Sequence, residues 1–476
     1  MVDGIIVGGY LFAMLLVGWL SRGQSAESYW VARRQYGTGR ITISLVATIF
    51  GASSTMGIIG MGYSRGLTAA WWSLMGAAAL FPFGLILAAR VRAISVYTLP
   101  DILKGAFGNR VAVPAAIMIA IAWCGIVSAQ MVAAARLLSS IYSLHFSSVL
   151  TVVAAVFVLY TFWGGQLSVI RTDSWQLTLF LGGLLTCFAV VALAVPGGLL
   201  SGFAATPSEQ LRFPISEQFG LYDLLVFYPL VVGLPYLVGP DIYSRILCAR
   251  NDAVARQSSV LAAAAIIPIS FVLALLGILI QAQYPELTPE AALPTALDGL
   301  APAGLAGLIT AGFLAAIMSS ADTTLISAST ILSLNVAGAC KPMPQKRQLV
   351  LTKVALIGVG SVAWLIAGFQ QEIIASLLLG YTVFVGGVVF PTLASLYRDR
   401  LGITSTGAMW AVVVGGTTAI LSEVQDGNLL RTLVCNVGDA VLERVLGPRY
   451  PSILPIVLCL IVMFAVSMIT RTSKSE

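Results

Sequence analysis

The sequence predicts an all-α polytopic membrane protein, and three observations carry that prediction. Of 476 residues, 58% are hydrophobic and only 10% charged, with a mean hydropathy of +0.94, against roughly 25% charged in an ordinary soluble domain. Apolar stretches close to the ~20 residues needed to cross a hydrocarbon core recur along the whole length. The linkers between them are rich in Gly, Pro, Ser and charge and too short to fold as a soluble domain. Only lipid can cover this much apolar surface, so a water-soluble fold is excluded.

Hydropathy places about thirteen spans, at residues 2–20, 41–63, 67–89, 112–138, 147–163, 174–195, 221–247, 258–281, 301–336, 349–368, 373–396, 404–421 and 451–469. The apolar stretch of the first, Ile5 to Leu20, follows an acidic residue and lacks a basic flank and a cleavage motif, so it reads as a retained helix rather than a signal peptide. The outer loop at 423–450 carries Leu429, Leu430, Leu433, Val434, Val437, Val441 and Leu442 at helical spacing. That pattern predicts an amphipathic helix, lying on the outer surface or packed on the bundle. Charge sets the orientation. With the N-terminus outside, only six of the 26 Lys and Arg residues (Arg65, Arg136, Arg212, Arg431, Arg444 and Arg449) fall on the outer side, which predicts N-terminus outside and C-terminus inside.

The net charge of +6 is spread singly between apolar spans rather than clustered, so nucleic acid is not an expected partner. Six cysteines without a CxxC pair, and the lone His145, argue against a zinc site or a disulfide framework.

Polar residues at bilayer depth are costly unless they pair or line a cavity, and three spans concentrate them. The second contains the small, hydroxyl-rich run Ser44–Gly57, which can unwind. The seventh contains Gly233, Pro235, Gly239 and Pro240 within nine residues, freeing carbonyls that a cavity, an ion or neighbouring groups must satisfy. Two interrupted spans five helices apart are the pattern of an inverted-repeat transporter, although close helix packing produces similar composition without transport. In the ninth, Ser319, Asp322 and Thr323 stand at i, i+3 and i+4 and share a face. Oxygens with little formal charge suit a monovalent cation better than calcium or zinc. The alternative is hydroxyls bonded back to their own helix, with Asp322 near the inner water boundary. Asp173 enters the sixth span beside Arg171, where capping or pairing with Arg171 is the ordinary role.

These spans, together with Ser28–Arg34, Gly51–Ser54, Gly62–Gly66, Thr98–Leu103, Tyr160–Gly165, Thr172-Asp173, Gly239–Arg245 and Ala315–Ser320, resemble the sodium:solute symporter family over most of the chain. The resemblance implies a LeuT-like fold working by alternating access within one transport domain, 1–476. Inverted five-helix repeats would occupy 41–195 and 221–396, preceded by an extra helix at 1–20 and followed by two C-terminal helices in 404–476. It implies a sodium site from the carbonyls of Ala52, Thr55 and Ala316 and the hydroxyls of Ser319 and Ser320. A second cation or proton site would comprise Asp173, Ser319, Asp322 and Thr323, with Asp322 at a position that is commonly serine in two-sodium members. Substrate contacts are implied for Ser53, Ser54, Gly57, Tyr236, Pro240 and Tyr381; Gln130 joins them on its intramembrane polarity alone. The Tyr236 and Pro240 pattern resembles the proline, pantothenate and organic-acid branches more than the sugar branch.

The expected activity is sodium-coupled symport of a small polar organic solute, such as an amino acid or monocarboxylate, by a multi-pass protein of the cytoplasmic (inner) membrane. Na+ is the expected coupling ion, with no other cofactor; solute, sodium and lipid are the expected partners, with no obligate protein partner. A proton-coupled symporter of the same fold and a transporter-like sensor are the alternatives. An intramembrane enzyme is disfavoured, because no HExxH, GxSxG or Asp-rich motif occurs and no catalytic constellation is present. No intramembrane Arg or Lys is placed to meet a substrate carboxylate, a role left to the dipoles of the broken helices.

Overall fold

The computed structural model describes residues 2–23, 25–94, 96–341, 343–423 and 441–472. Among the described residues the regular elements are all helical, and eleven helices are long and apolar enough to cross a membrane. Helix α1 (Val2–Leu20) packs outside the rest. Helix α2 (Thr38–Ile49) stops because Phe50 leaves helical geometry at φ −82°, ψ 66°. The chain resumes as a π-helical turn, Ser53–Gly57, that runs into α3 (Ile58–Arg65). Gly66 then redirects it into α4 (Trp71–Pro82), and α5 (Asn109–Ile141) follows.

Helix α6 (Phe146–Ala194) has 49 residues, about 74 Å at 1.5 Å per residue and more than twice a ~30 Å hydrocarbon core. It is divided at Gly165, whose φ of 56° is left-handed and where a Cβ would lie 2.5 Å from the Tyr29 ring. The inner turn expected between the fifth and sixth spans is thus a one-residue hinge. Asp173 lies about two turns beyond it rather than at a helix cap.

The second half repeats the theme. A π-helical stretch, Asp223–Gly233, leads into α7 (Leu234–Val238), and Gly239 (ψ 130°) breaks the path before α8 (Pro240–Ile246). Pro240 opens α8, where its missing N–H costs nothing. Helices α9 (Asp252–Gln283), α10 (Leu305–Ile331), α11 (Gln345–Phe369), α12 (Ile373–Phe384), α13 (Ser405–Glu423) and α14 (Tyr450–Thr472) complete the bundle. Every residue of α10 from Ile309 to Ile331 is buried, making it the central post. Its small residues permit this, since Gly312 closes directly on Leu179 and Gly183 of α6 in the manner of membrane helix pairs. Large apolar side chains such as Leu193, Trp175 and Phe369 point outward, as a lipid-facing surface requires. Of the helix expected in the 423–450 loop, Leu429, Leu430, Leu433, Val434 and Val437 lie outside the described residues, while Val441 is exposed.

Candidate functional site

The two helix breaks face α10. The last carbonyls of a helix have no partner within it, and at the end of α2 they turn to the hydroxyls of α10. Ser319 Oγ lies 2.8 Å from the Ala47 carbonyl and 2.9 Å from that of Ala316, and Ser320 Oγ donates to the Thr48 carbonyl at 2.6 Å. Gly51 makes this approach possible, because a Cβ there would meet Ser320 Oγ at 2.6 Å and Gln130 Oε1 at 2.7 Å. Gln130 Oε1 in turn accepts the N–H of Ala52 at 2.8 Å, satisfying a donor the break would otherwise strand.

Ser319, Ser320 and the Ala316 carbonyl are therefore brought together as expected, but the carbonyls beside them belong to Ala47 and Thr48. The Ala52 carbonyl accepts the N–H of Gly57 at 3.0 Å, and the Thr55 carbonyl accepts that of Ile58, so both are engaged within the π-helical turn. Freed carbonyls lie on the N-terminal side of a break, but that the break begins at Phe50 is a feature of the structure that the run 44–57 does not mark.

On the other side of the break, the Tyr236 hydroxyl lies beside those of Tyr381 and Ser54. Ser53 and Gly57 share the π-helical turn with Ser54, and Gly57 packs toward Ile374. Pro240 is set apart, bordering a small cavity with Trp30, Tyr97 and Ser327.

Asp173 and Asp322 are both fully buried, and a residue absent from the expected site stands between their elements. Arg245 of α8, also fully buried, places Nη2 3.3 Å from Asp173 Oδ2. It donates from Nε to Thr48 Oγ1 at 3.0 Å and from Nη2 to Thr323 Oγ1, while Ser44 Oγ donates to Asp173 Oδ2. Asp173 thus pairs with Arg245 rather than Arg171. Asp322 is not at a water boundary: its Oδ1 accepts from Thr161 Oγ1 at 2.9 Å, and its Oδ2 has no protein partner. Sequence reading assigned Arg245 to the inner-face charges, because only the three-dimensional break carries it into the bundle.

Two interrupted helices meeting beside an unbroken, hydroxyl-lined one are the architecture of a secondary transporter. The chain belongs to the sodium:solute symporter family, whose sequence profile matches residues 29–415. It is 27% identical to sodium/myo-inositol cotransporter 2 of Oryctolagus cuniculus, over 86% of this chain and 68% of that one. It is also 27% identical to the sodium/proline symporter of Haemophilus influenzae, over 86% of each. Among solved structures, the substrate-bound, outward-open state of a Na+-coupled sialic acid symporter superposes with a TM-score of 0.80 at 18% identity, covering 98% of both chains, which shows the shared fold. The protein is a multi-pass transporter of the cell membrane that couples sodium to the symport of small solutes.

Proposed function

We propose that the protein imports a small polar organic solute by alternating access, driven by sodium bound where α2 ends against α10. The observation that carries this reading is the pair of hydroxyls, Ser319 and Ser320, set on the Ala47 and Thr48 carbonyls, with the Ala316 carbonyl beside them. Neutral oxygens of this kind replace part of a sodium hydration shell while leaving the ion free to depart. Arg245 already supplies positive charge to Asp173 and Thr323, which favours one sodium ion at Ser319 and Ser320 over two. Tyr236, Tyr381 and Ser54 would hold the solute, lined by Ser53, Gly57 and Gln130.

Thirteen spans are the count that fits, since Gly66 and Gly165 each divide one of the eleven long helices in two. The positive-inside bias supports N-terminus outside and C-terminus inside, with the repeats at 41–195 and 221–396. The test is Ser319→Ala combined with Ser320→Ala, read as thermal stabilisation of the purified protein by sodium against potassium and choline. Saturating sodium stabilises a binder by about 2.7 kcal/mol at a hundredfold excess over Kd. The double variant is expected to insert in the membrane and lose that response; an unchanged sodium response overturns the assignment.

A further inference from the structure

Helix α4 does not stop at Pro82. It continues through a π-helical turn, Phe83–Leu87, into Ala88–Ala93, and there it runs beside the first turns of α9. The two helices touch where Gly84 closes on α9: a Cβ on Gly84 would stand 2.9 Å from Ser259 Cβ and 3.0 Å from Val260 Cγ2. Beside that contact lies a groove of about 770 Å³. Its walls are Leu85 and Ala89 on one helix and Val260 and Leu261 on the other. Leu85 and Leu261 are exposed, so the groove opens on the apolar surface that lipid covers.

One end of the groove is charged. Asp252 and Arg256 of α9 line it there, four residues apart and so on one helix face. Among the described residues neither forms an ion pair or a side-chain hydrogen bond, with the other or with any neighbour. Arg92, the basic residue facing Asp252 from the adjacent helix, is engaged instead with the Ala249 carbonyl at 2.6 Å. Leu261 stands nine residues beyond Asp252, about 14 Å of helix rise, so charge and apolar wall are well separated along one groove. Such a groove fits an amphipathic occupant, with a chain along Leu85, Ala89, Val260 and Leu261, a phosphate at Arg256 and a cationic group at Asp252. Apolar walls accept any lipid chain, and the two charges select the headgroup. A primary ammonium donates N–H bonds to a carboxylate, which a quaternary ammonium cannot do, and a glycerol headgroup leaves the carboxylate without a cation.

We propose that this groove is a binding site for an aminophospholipid, phosphatidylethanolamine, with its phosphate on Arg256 and its ammonium on Asp252. The site adjoins the strip of α9 that anchors the start of α2. Thr38 Oγ1 donates to Gln257 Oε1 at 3.2 Å, and Ser258 Oγ donates to the Thr38 carbonyl at 3.1 Å. A seated lipid therefore braces the near end of the helix whose far end meets α10.

The test uses the full-length protein, purified and delipidated in detergent. Dioleoyl phosphatidylethanolamine, phosphatidylcholine and phosphatidylglycerol are added in turn, and retention is counted by native mass spectrometry. Phosphatidylethanolamine is expected to bind about fivefold more tightly than the other two, and Arg256→Gln to weaken all three by about fivefold, the effect of one basic residue at a headgroup. Asp252→Asn is expected to abolish the preference for phosphatidylethanolamine without weakening phosphatidylglycerol. Ala89→Trp, which fills the groove, is expected to weaken all three. Equal retention of the three lipids by the wild type overturns the proposal, as does a wild-type pattern in Asp252→Asn, Arg256→Gln or Ala89→Trp. Glycerophosphoethanolamine, the headgroup without chains, is expected not to compete; competition equal to that of the intact lipid would place recognition in the charges alone and overturn the assignment of the groove to a lipid.

Discussion

Arg245→Met should destabilise the protein far more than Arg245→Met combined with Asp173→Asn. Both charges are completely buried and 3.3 Å apart. Removing the guanidinium leaves Asp173 with the Ser44 hydroxyl as its one hydrogen bond, since its Oδ1 already has no partner. Breaking a buried pair in this way costs about 3–5 kcal/mol, whereas neutral replacement of both partners is often nearly cost-free. The Thr48 and Thr323 hydroxyls lose their donor in either variant, about 1 kcal/mol each. That common loss cancels in a double-mutant cycle, which should return a coupling of at least about 2 kcal/mol. Equilibrium unfolding in mixed micelles measures it for the wild type, the two single variants and the double. A single variant within about 1 kcal/mol of wild type, or a double variant whose loss equals the sum of the singles, would refute the reasoning.

Gly51→Ala should abolish sodium-dependent stabilisation, because the new methyl would stand 2.6 Å from Ser320 Oγ and 2.7 Å from Gln130 Oε1; a wild-type sodium titration would contradict it. Gln130→Leu strands the buried Ala52 N–H and should cost about 1–3 kcal/mol of stability, read by unfolding; a neutral result would mean that the break is satisfied some other way. In a Cys435→Ser background, an impermeant maleimide should label the exposed Cys340 only after the inner face is opened, Cys124, Cys187, Cys248 and Cys459 being buried. Labelling from outside would invert the proposed orientation.

The places where this chain breaks its helices were legible, and the register of what the breaks expose was not. Glycine and proline at 233–240 and the hydroxyl run at 44–57 identify the interrupted helices, because no other local chemistry tolerates that loss of backbone bonding in lipid. Hydropathy placed a turn between 163 and 174 where the structure has a break at Gly165 alone, since it cannot register that one glycine at φ 56° redirects a helix without a loop. It also assigned Arg245 to the inner surface. A window average locates a residue by its distance along a continuous helix, whereas α8 starts afresh after the break at Gly239 and turns its basic residue inward against Asp173.

Which carbonyls meet α10 follows from the polarity of the helix itself. Interrupting a helix strands carbonyls before the break and N–H groups after it, so the two sides of one interruption have opposite chemistry. Before Phe50, the Ala47 and Thr48 carbonyls meet α10 hydroxyls, an electronegative cup suited to a cation. After it, the Ala52 N–H must find an acceptor, and Gln130 provides one. Gly51 lies between the two, touching both Ser320 and Gln130. On the reading proposed above, cation and solute lie on opposite sides of a single residue, and a movement that restores helical geometry at Phe50 is expected to release both. Coupling between ion and solute requires a two-state element that both ligands bias, and the break at Phe50–Gly51 is placed to be that element.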